Sequence, residues 1–68
     1  MTLERAGTFF RRGGKGDVVT KGGKIIEGTF LEFQSSVNWT GEPGFISMLT
    51  DDDIVIVYAN EFAGIIPK

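Results

Sequence analysis

The run Ile54-Val55-Ile56-Val57-Tyr58 limits what this chain can fold into more than any other stretch. Branching at Cβ restricts side-chain rotation in a helix and packs well on a pleated surface, so four such residues before an aromatic favour a strand. Side chains of a strand alternate between two faces, and here both faces are apolar. A solvated antiparallel sheet keeps one face polar, so both faces of this strand call for cover. Phe62-Ala63-Gly64-Ile65-Ile66 is nearly the same. A chain of 68 residues has room for one domain with one interior. The second cover therefore points to another subunit, and assembly is a usual route by which so short a chain gains stability. The candidate interface residues are Ile54, Val55, Ile56, Val57, Phe62, Ile65 and Ile66.

The rest of the chain reads as short strands separated by glycine. There are ten glycines, about twice the usual share of ~7%, which leaves no helix of useful length. The helical candidate, residues 2–6, is barely one turn. Strands are predicted over Asp17 to Lys21, Lys24 to Phe33, Phe45 to Leu49, Ile54 to Tyr58 and Phe62 to Ile66. Gly22-Gly23 is the signal for a hairpin between the first two. Within Lys24 to Phe33, Ile26, Gly28 and Phe30 share an apolar face, whereas Leu31 and Phe33 fall on the face of Glu27. A bend at Gly28 is the predicted cause of that switch. Gln34 to Gly44 is a loop, residues 1–16 are a basic, glycine-rich segment, and Arg11 to Gly16 reads as a flexible basic turn or arm. Five short strands with tight connections predict an all-β, strongly bent small barrel, because closure removes edges that would otherwise pair promiscuously.

Composition narrows the chemistry. Cysteine and histidine are absent, which excludes disulfides, thiolate metal sites and the commonest general base. The nucleophile schemes left, Ser/Lys pairs or paired carboxylates, need a pocket, and the interior of so small a barrel is filled by side chains, so no enzyme activity, cofactor or metal is expected. Asp51-Asp52-Asp53 lacks the spacing of a calcium loop and reads as a solvated turn. Arg11-Arg12-Gly13-Gly14-Lys15-Gly16 lacks the phosphate-loop spacing and a following helix. No apolar run approaches the ~20 residues of a membrane span, and the first residues lack the apolar core of a secretory signal. A cytoplasmic location is the default expectation. The net charge of −2 hides an asymmetry. Residues 1–24 hold Arg5, Arg11, Arg12, Lys15, Lys21 and Lys24 against Glu4 and Asp17, a balance of +4, so residues 25–68 carry −6. Such a basic head suits phosphates, whose neutralisation releases counterions.

Two stretches carry a family resemblance. Gly23-Lys24-Ile25-Ile26-Glu27-Gly28-Thr29-Phe30-Leu31-Glu32-Phe33 resembles the first Sm motif, with Gly-Lys, a hydrophobic residue, a central glycine and the following hydrophobic and aromatic positions. Val57-Tyr58-Ala59-Asn60-Glu61-Phe62-Ala63-Gly64-Ile65-Ile66-Pro67 is similar to the second motif as it occurs in the bacterial RNA-chaperone branch of the Sm-like family. The resemblance implies a five-stranded SH3-like barrel and a homo-oligomeric ring of five to seven subunits, the fourth strand of each pairing with the fifth of its neighbour. It also implies single-stranded RNA as partner.

This chain departs from the family at the positions that contact RNA. Gln34 stands where the family has aspartate, and Ser36 where it has a stacking aromatic or histidine. Asn38 matches the family's base-contacting asparagine only if no gap is introduced. The alternative is an enlarged loop over 34–44 with the third strand starting at Phe45. Tyr58-Ala59 and Ala59-Asn60 replace the family's positively charged pairs, so the usual charge at the pore is missing. The candidate RNA contacts are Tyr58, Asn60, Asn38, Trp39, Ser36, Arg11, Arg12 and Lys15. Trp39 either stacks a base or caps the barrel and packs on a neighbouring subunit. Tyr58 can stack and Asn60 can read a base edge. The rival expectation is a structural or protein-interaction module with the same kind of barrel and no nucleic acid, which the acidic isoelectric point of 4.9 favours.

Overall fold

The computed structural model describes residues 2–35 and 41–68. A single turn of helix, α1 (Leu3–Ala6), precedes five strands: β1 (Lys15–Thr20), β2 (Ile25–Gln34), β3 (Phe45–Leu49), β4 (Ile54–Tyr58) and β5 (Phe62–Pro67). They form one antiparallel sheet in the order β4-β3-β2-β1-β5. β3 and β4 fall where alternation and turn residues predict. β1 starts two residues earlier than predicted, because Lys15 and Gly16 already pair with Thr29 and Gly28. The β1–β2 turn is four residues long, closed by the Thr20 amide donating to Lys24 O at 2.9 Å. Gly23 takes a φ of 87° there, which favours glycine.

β2 is the longest strand and serves two neighbours. Its first half pairs with β1 and its second with β3, so the sheet must bend along it. At Gly28 an added Cβ would lie 2.4 Å from Leu49 O. Only glycine lets the end of β3 cross so close. The change of face predicted at Gly28 instead occurs two residues later. Phe30 pairs with Met48 and Glu32 with Ser47, which leaves Leu31 as the extra residue of a bulge. A bulge shifts side-chain parity by one. Ile26 and Phe30 therefore face inward before it, and Phe33 joins the same core after it.

The bent sheet wraps Val18, Ile26, Phe30, Ile46, Met48, Val57, Phe62 and Ile65, and α1 adds Leu3 and Ala6. Phe10 packs on Phe30 and Phe33 with ring centroids 5.6 and 5.5 Å away. The N-terminal segment is thus built into the domain and is not a free arm. The Gly13 amide donates to Phe30 O, and the Phe30 amide to Gly14 O, both at 2.8 Å. The radius of gyration is 10.9 Å, equal to the ~10.9 Å expected of a compact domain this long.

The sheet is not closed, contrary to the closed barrel that strand count and turn spacing suggest. Residues 59–61 carry the chain from β4 to the opposite side of the sheet, where β5 pairs with β1. No ladder joins β4 to β5 among the described residues. Among the described residues both strands are left as free edges.

Candidate functional site

β4 divides its side chains between two surroundings. Val57 is buried and Val55 packs partly against the core. Ile54, Ile56 and Tyr58 point the other way and are 57, 47 and 44% exposed. Leu49 pairs with Ile54 on the neighbouring strand and is 48% exposed on the same outward face. Four large apolar side chains thus line one edge of the sheet on its outer side. On β5, Phe62 and Ile65 belong to the core and Ile66 is 52% exposed. Of the residues predicted to meet a neighbour, Val57, Phe62 and Ile65 serve the chain's own interior, with Val55 partly so. Ile54, Ile56 and Ile66 remain uncovered. Sequence reasoning missed Leu49, although its parity in Phe45–Leu49, opposite to that of buried Ile46 and Met48, marks it as outward.

The predicted RNA contacts fall in two separate places. Tyr58 and Asn60 line a shallow, mostly apolar depression with Pro43 and Ala59. The Ala59 amide donates to Gly44 O and the Lys21 amide to Glu61 O, at 2.9 and 2.8 Å. These bonds fix the 59–61 turn between the base of the long loop and the first hairpin. Gln34 pairs with Phe45, and its side-chain amide donates to Glu42 O and Pro43 O at 3.3 and 3.1 Å. The third strand therefore starts at Phe45, as the enlarged-loop alternative has it. Ser36, Asn38 and Trp39 lie outside the described residues.

Lys15 is elsewhere. It pairs with Thr29, which pairs with Leu49, which pairs with Ile54. Tyr58 lies at the other end of β4, so the length of that strand separates the two. Lys15 borders a cleft of about 310 Å³ with Thr29, Thr50, Asp51, Glu27 and Lys68. Arg11 turns back on its own chain, its guanidinium donating to Phe10 O at 2.9 Å and Thr8 O at 3.4 Å. Arg12 is exposed on the adjoining turn.

The comparisons identify no relative. No family model, curated protein or solved structure matches this chain. What the site can do follows from its own charges and surfaces. Among the described residues the ion pairs are all made by Lys68. Arg5, Arg11, Arg12, Lys15, Lys21 and Lys24 form none there. Asp53 is used by its turn, its Oδ1 accepting from the Ile54 amide at 2.7 Å. No helix of the described residues is long and apolar enough to cross a membrane.

Lys68 resolves a conflict built into the β1–β2 register. Asp17 sits directly opposite Glu27, and like charges so placed repel. The Lys68 ammonium donates to Glu27 Oε2 and lies 3.3 Å from Asp17 Oδ1. That Asp17 oxygen is buried and accepts no hydrogen bond among the described residues, so the nearby positive charge is its compensation. The hydrogen bond from Lys68 holds the Glu27 carboxyl below its ordinary value of 4.5, and the bond to Glu27 raises the lysine above 10.5. A depressed carboxyl stabilises the fold above pH 4.5, and that contribution is lost as pH falls through the lower folded value. A raised lysine contributes below pH 10.5, and loses its contribution as pH rises through the higher folded value. Lys68→Met should therefore lower the thermal midpoint at pH 7 and lower it less at pH 3. An equal loss at both pH values would assign Lys68 a packing role in place of a charge role.

Proposed function

We propose that this chain is an Sm-like subunit that assembles edge to edge into a ring and holds single-stranded RNA on the assembled surface. The free β4 edge, with Ile54, Ile56 and Tyr58 exposed beside Leu49, carries the reading. An exposed apolar edge strand is a template for pairing with another chain, and proteins that stay monomeric blunt such edges with charge, proline or cover. Ile54–Tyr58 contains neither charge nor proline. The order β4-β3-β2-β1-β5 suits a ring in which the fourth strand of one copy meets the fifth of the next.

The RNA part rests on the unpaired cations. Six basic residues without ion pairs among the described residues remain free to neutralise phosphates, in a chain whose net charge is negative. Tyr58 and Asn60 offer a ring and an amide at a turn held by backbone bonds. Repetition around a ring multiplies each weak contact, since later contacts form at high effective concentration. The rival reading is a protein-interaction module. It is favoured by the isoelectric point of 4.9 and by Ala59 and Asn60 standing where the family has cations.

The two readings separate in a titration of a short unstructured RNA, followed by fluorescence anisotropy from 50 to 200 mM salt. Affinity for a single strand falls with salt at a slope of about −0.7 per phosphate neutralised. Replacing Arg11, Arg12 and Lys15 with alanine should weaken binding and flatten the slope by about 2 per subunit engaged. Absence of binding at the lowest salt would remove the RNA part and leave the protein-interaction reading.

A further inference from the structure

The first half of β2 has a free edge of its own, distinct from those of β4 and β5. Its even-numbered residues turn their backbone groups toward the β1 side. The Thr20 amide donates to Lys24 O, the Phe30 amide donates to Gly14 O, and Phe30 O accepts from the Gly13 amide. Backbone groups of an antiparallel strand alternate between its two sides, so those of Ile25, Glu27 and Thr29 face the β3 side. Thr29 meets Leu49 there, but β3 ends at that residue and the chain turns away through Thr50 to Asp53. The N–H and C=O groups of Ile25 and Glu27 therefore have no partner among the described residues. Strand groups left unpaired in this way are a template for another chain.

The same stretch lines a cleft of about 380 Å³ together with Val55 and the turn Asp51-Asp52-Asp53. Ile25 is 62% exposed, the highest value among the exposed large apolar side chains described, and it belongs to neither β4 nor β5. The turn is closed by its own groups, the Thr50 amide and hydroxyl both donating to Asp53 O at 2.9 and 2.8 Å. The carboxylates of Asp51 and Asp52 are exposed and form no ion pair among the described residues. Lys24, a cation on the same lining, does not pair with them. Glu27 is already held by Lys68, so Asp51 and Asp52 are the charges left to select a ligand.

The geometry points to an extended basic segment of a partner protein: we propose that such a segment adds as a short strand to Ile25 and Glu27, with lysine or arginine side chains directed to Asp51 and Asp52. In strand addition the backbone pairing gives attachment, and alternate side chains give the choice of partner. Ile26 belongs to the core and Val55 packs against it, so alternation gives the incoming strand an apolar residue on that side of the sheet. Its neighbours fall on the side of Ile25 and Glu27. There the alkyl stem of a lysine or arginine covers Ile25 and leaves its cation in water beside the carboxylates. Alternating apolar and basic residues are therefore the pattern that fits. The same carboxylates repel a phosphate backbone, so RNA is not the occupant. The cleft lies within one chain, and the inference stands for a monomer as for a ring.

The probe is a fluorescein-labelled heptapeptide of alternating lysine and valine, titrated by anisotropy into the native protein at about 50 mM salt, where charges are weakly screened. Saturable binding is expected. The Ile25 and Glu27 amides should exchange freely with solvent in the free protein and become protected in the complex. The same peptide N-methylated at every residue keeps its charges but lacks its donors, and should bind about tenfold less tightly. Replacing Asp51 and Asp52 together with asparagine leaves the turn's own bonds in place, and should weaken binding about fivefold with the thermal midpoint unchanged. Absence of binding overturns the inference, as does equal binding by the N-methylated peptide or by the Asp51→Asn, Asp52→Asn protein. Protection of the two amides in the free protein would assign the edge to this chain or to a second copy. Protection on adding a short unstructured RNA alone would assign it to RNA, and either result overturns the inference.

Discussion

Replacing Ile56 with glutamate should convert the proposed ring to folded monomers. In the single chain Ile56 is 47% exposed on the outward face of an edge strand, so a carboxylate there stays in water. In a paired edge the same carboxylate would be enclosed by apolar side chains, and an unpaired charge so buried is strongly unfavourable. Loss of strand propensity is a smaller effect, within a scale that spans about 1 kcal/mol. The expected result is a native mass of 7.4 kDa with the β-type circular dichroism retained. The thermal midpoint of the native protein should rise with concentration, as assembly linked to folding requires, and that of the variant should not. A variant that still assembles would place the interface elsewhere.

The second large effect is on folding itself. Phe30 is 1% exposed, meets the ring of Phe10, and fills the space left by Gly16 on the paired strand. Truncating a buried phenylalanine to alanine costs about 3–5 kcal/mol, because transfer and cavity effects add. A chain this short has roughly 3–10 kcal/mol of stability, at 0.05–0.15 kcal/mol per residue. Phe30→Ala should therefore leave a large unfolded fraction at 25 °C or lower the midpoint by at least ~12 °C. A loss under 1 kcal/mol by urea titration would mean that the core around β2 is not packed as described.

These two residues also show how far the fold was legible from the residues alone. Phe30 was readable as core because Ile26, Gly28 and Phe30 alternate with polar positions. Ile46 and Met48 follow the same rule on β3. Alternation does not reveal where parity slips: it points to a bend at Gly28, whereas the slip lies in the bulge at Leu31. Gly28 has a different role, the close passage of Leu49 O, which depends on a contact between residues far apart in sequence. Closure is hidden from the sequence for a similar reason. Strand count and turn spacing do not say whether the last strand pairs with its predecessor, and β5 pairs with β1.

The site was legible in part. Ile54 to Tyr58 announced a strand needing cover on both faces, and within one chain only the face of Val55 and Val57 receives it. The same logic overreached on β5, where the outward face is represented by Ile66 and by Gly64, which has no side chain to count. Arg11, Arg12, Lys15, Tyr58 and Asn60 all suit a nucleotide, but residue type does not say which of them share a surface. The register sets Lys15 level with Ile54, across the sheet and at the end of β4 away from Tyr58. A ring would present both sets on its surface, whereas a monomer would present them as unrelated patches.

The most direct test of the account is the native mass of the unmodified protein in solution, by light scattering on a sizing column across a range of concentrations. The account predicts a discrete species of five to seven subunits, 37–52 kDa from a subunit of 7.4 kDa. A mass of 7.4 kDa at every concentration would contradict it, and would leave the exposed edge of Ile54, Ile56 and Tyr58 to a partner other than this chain.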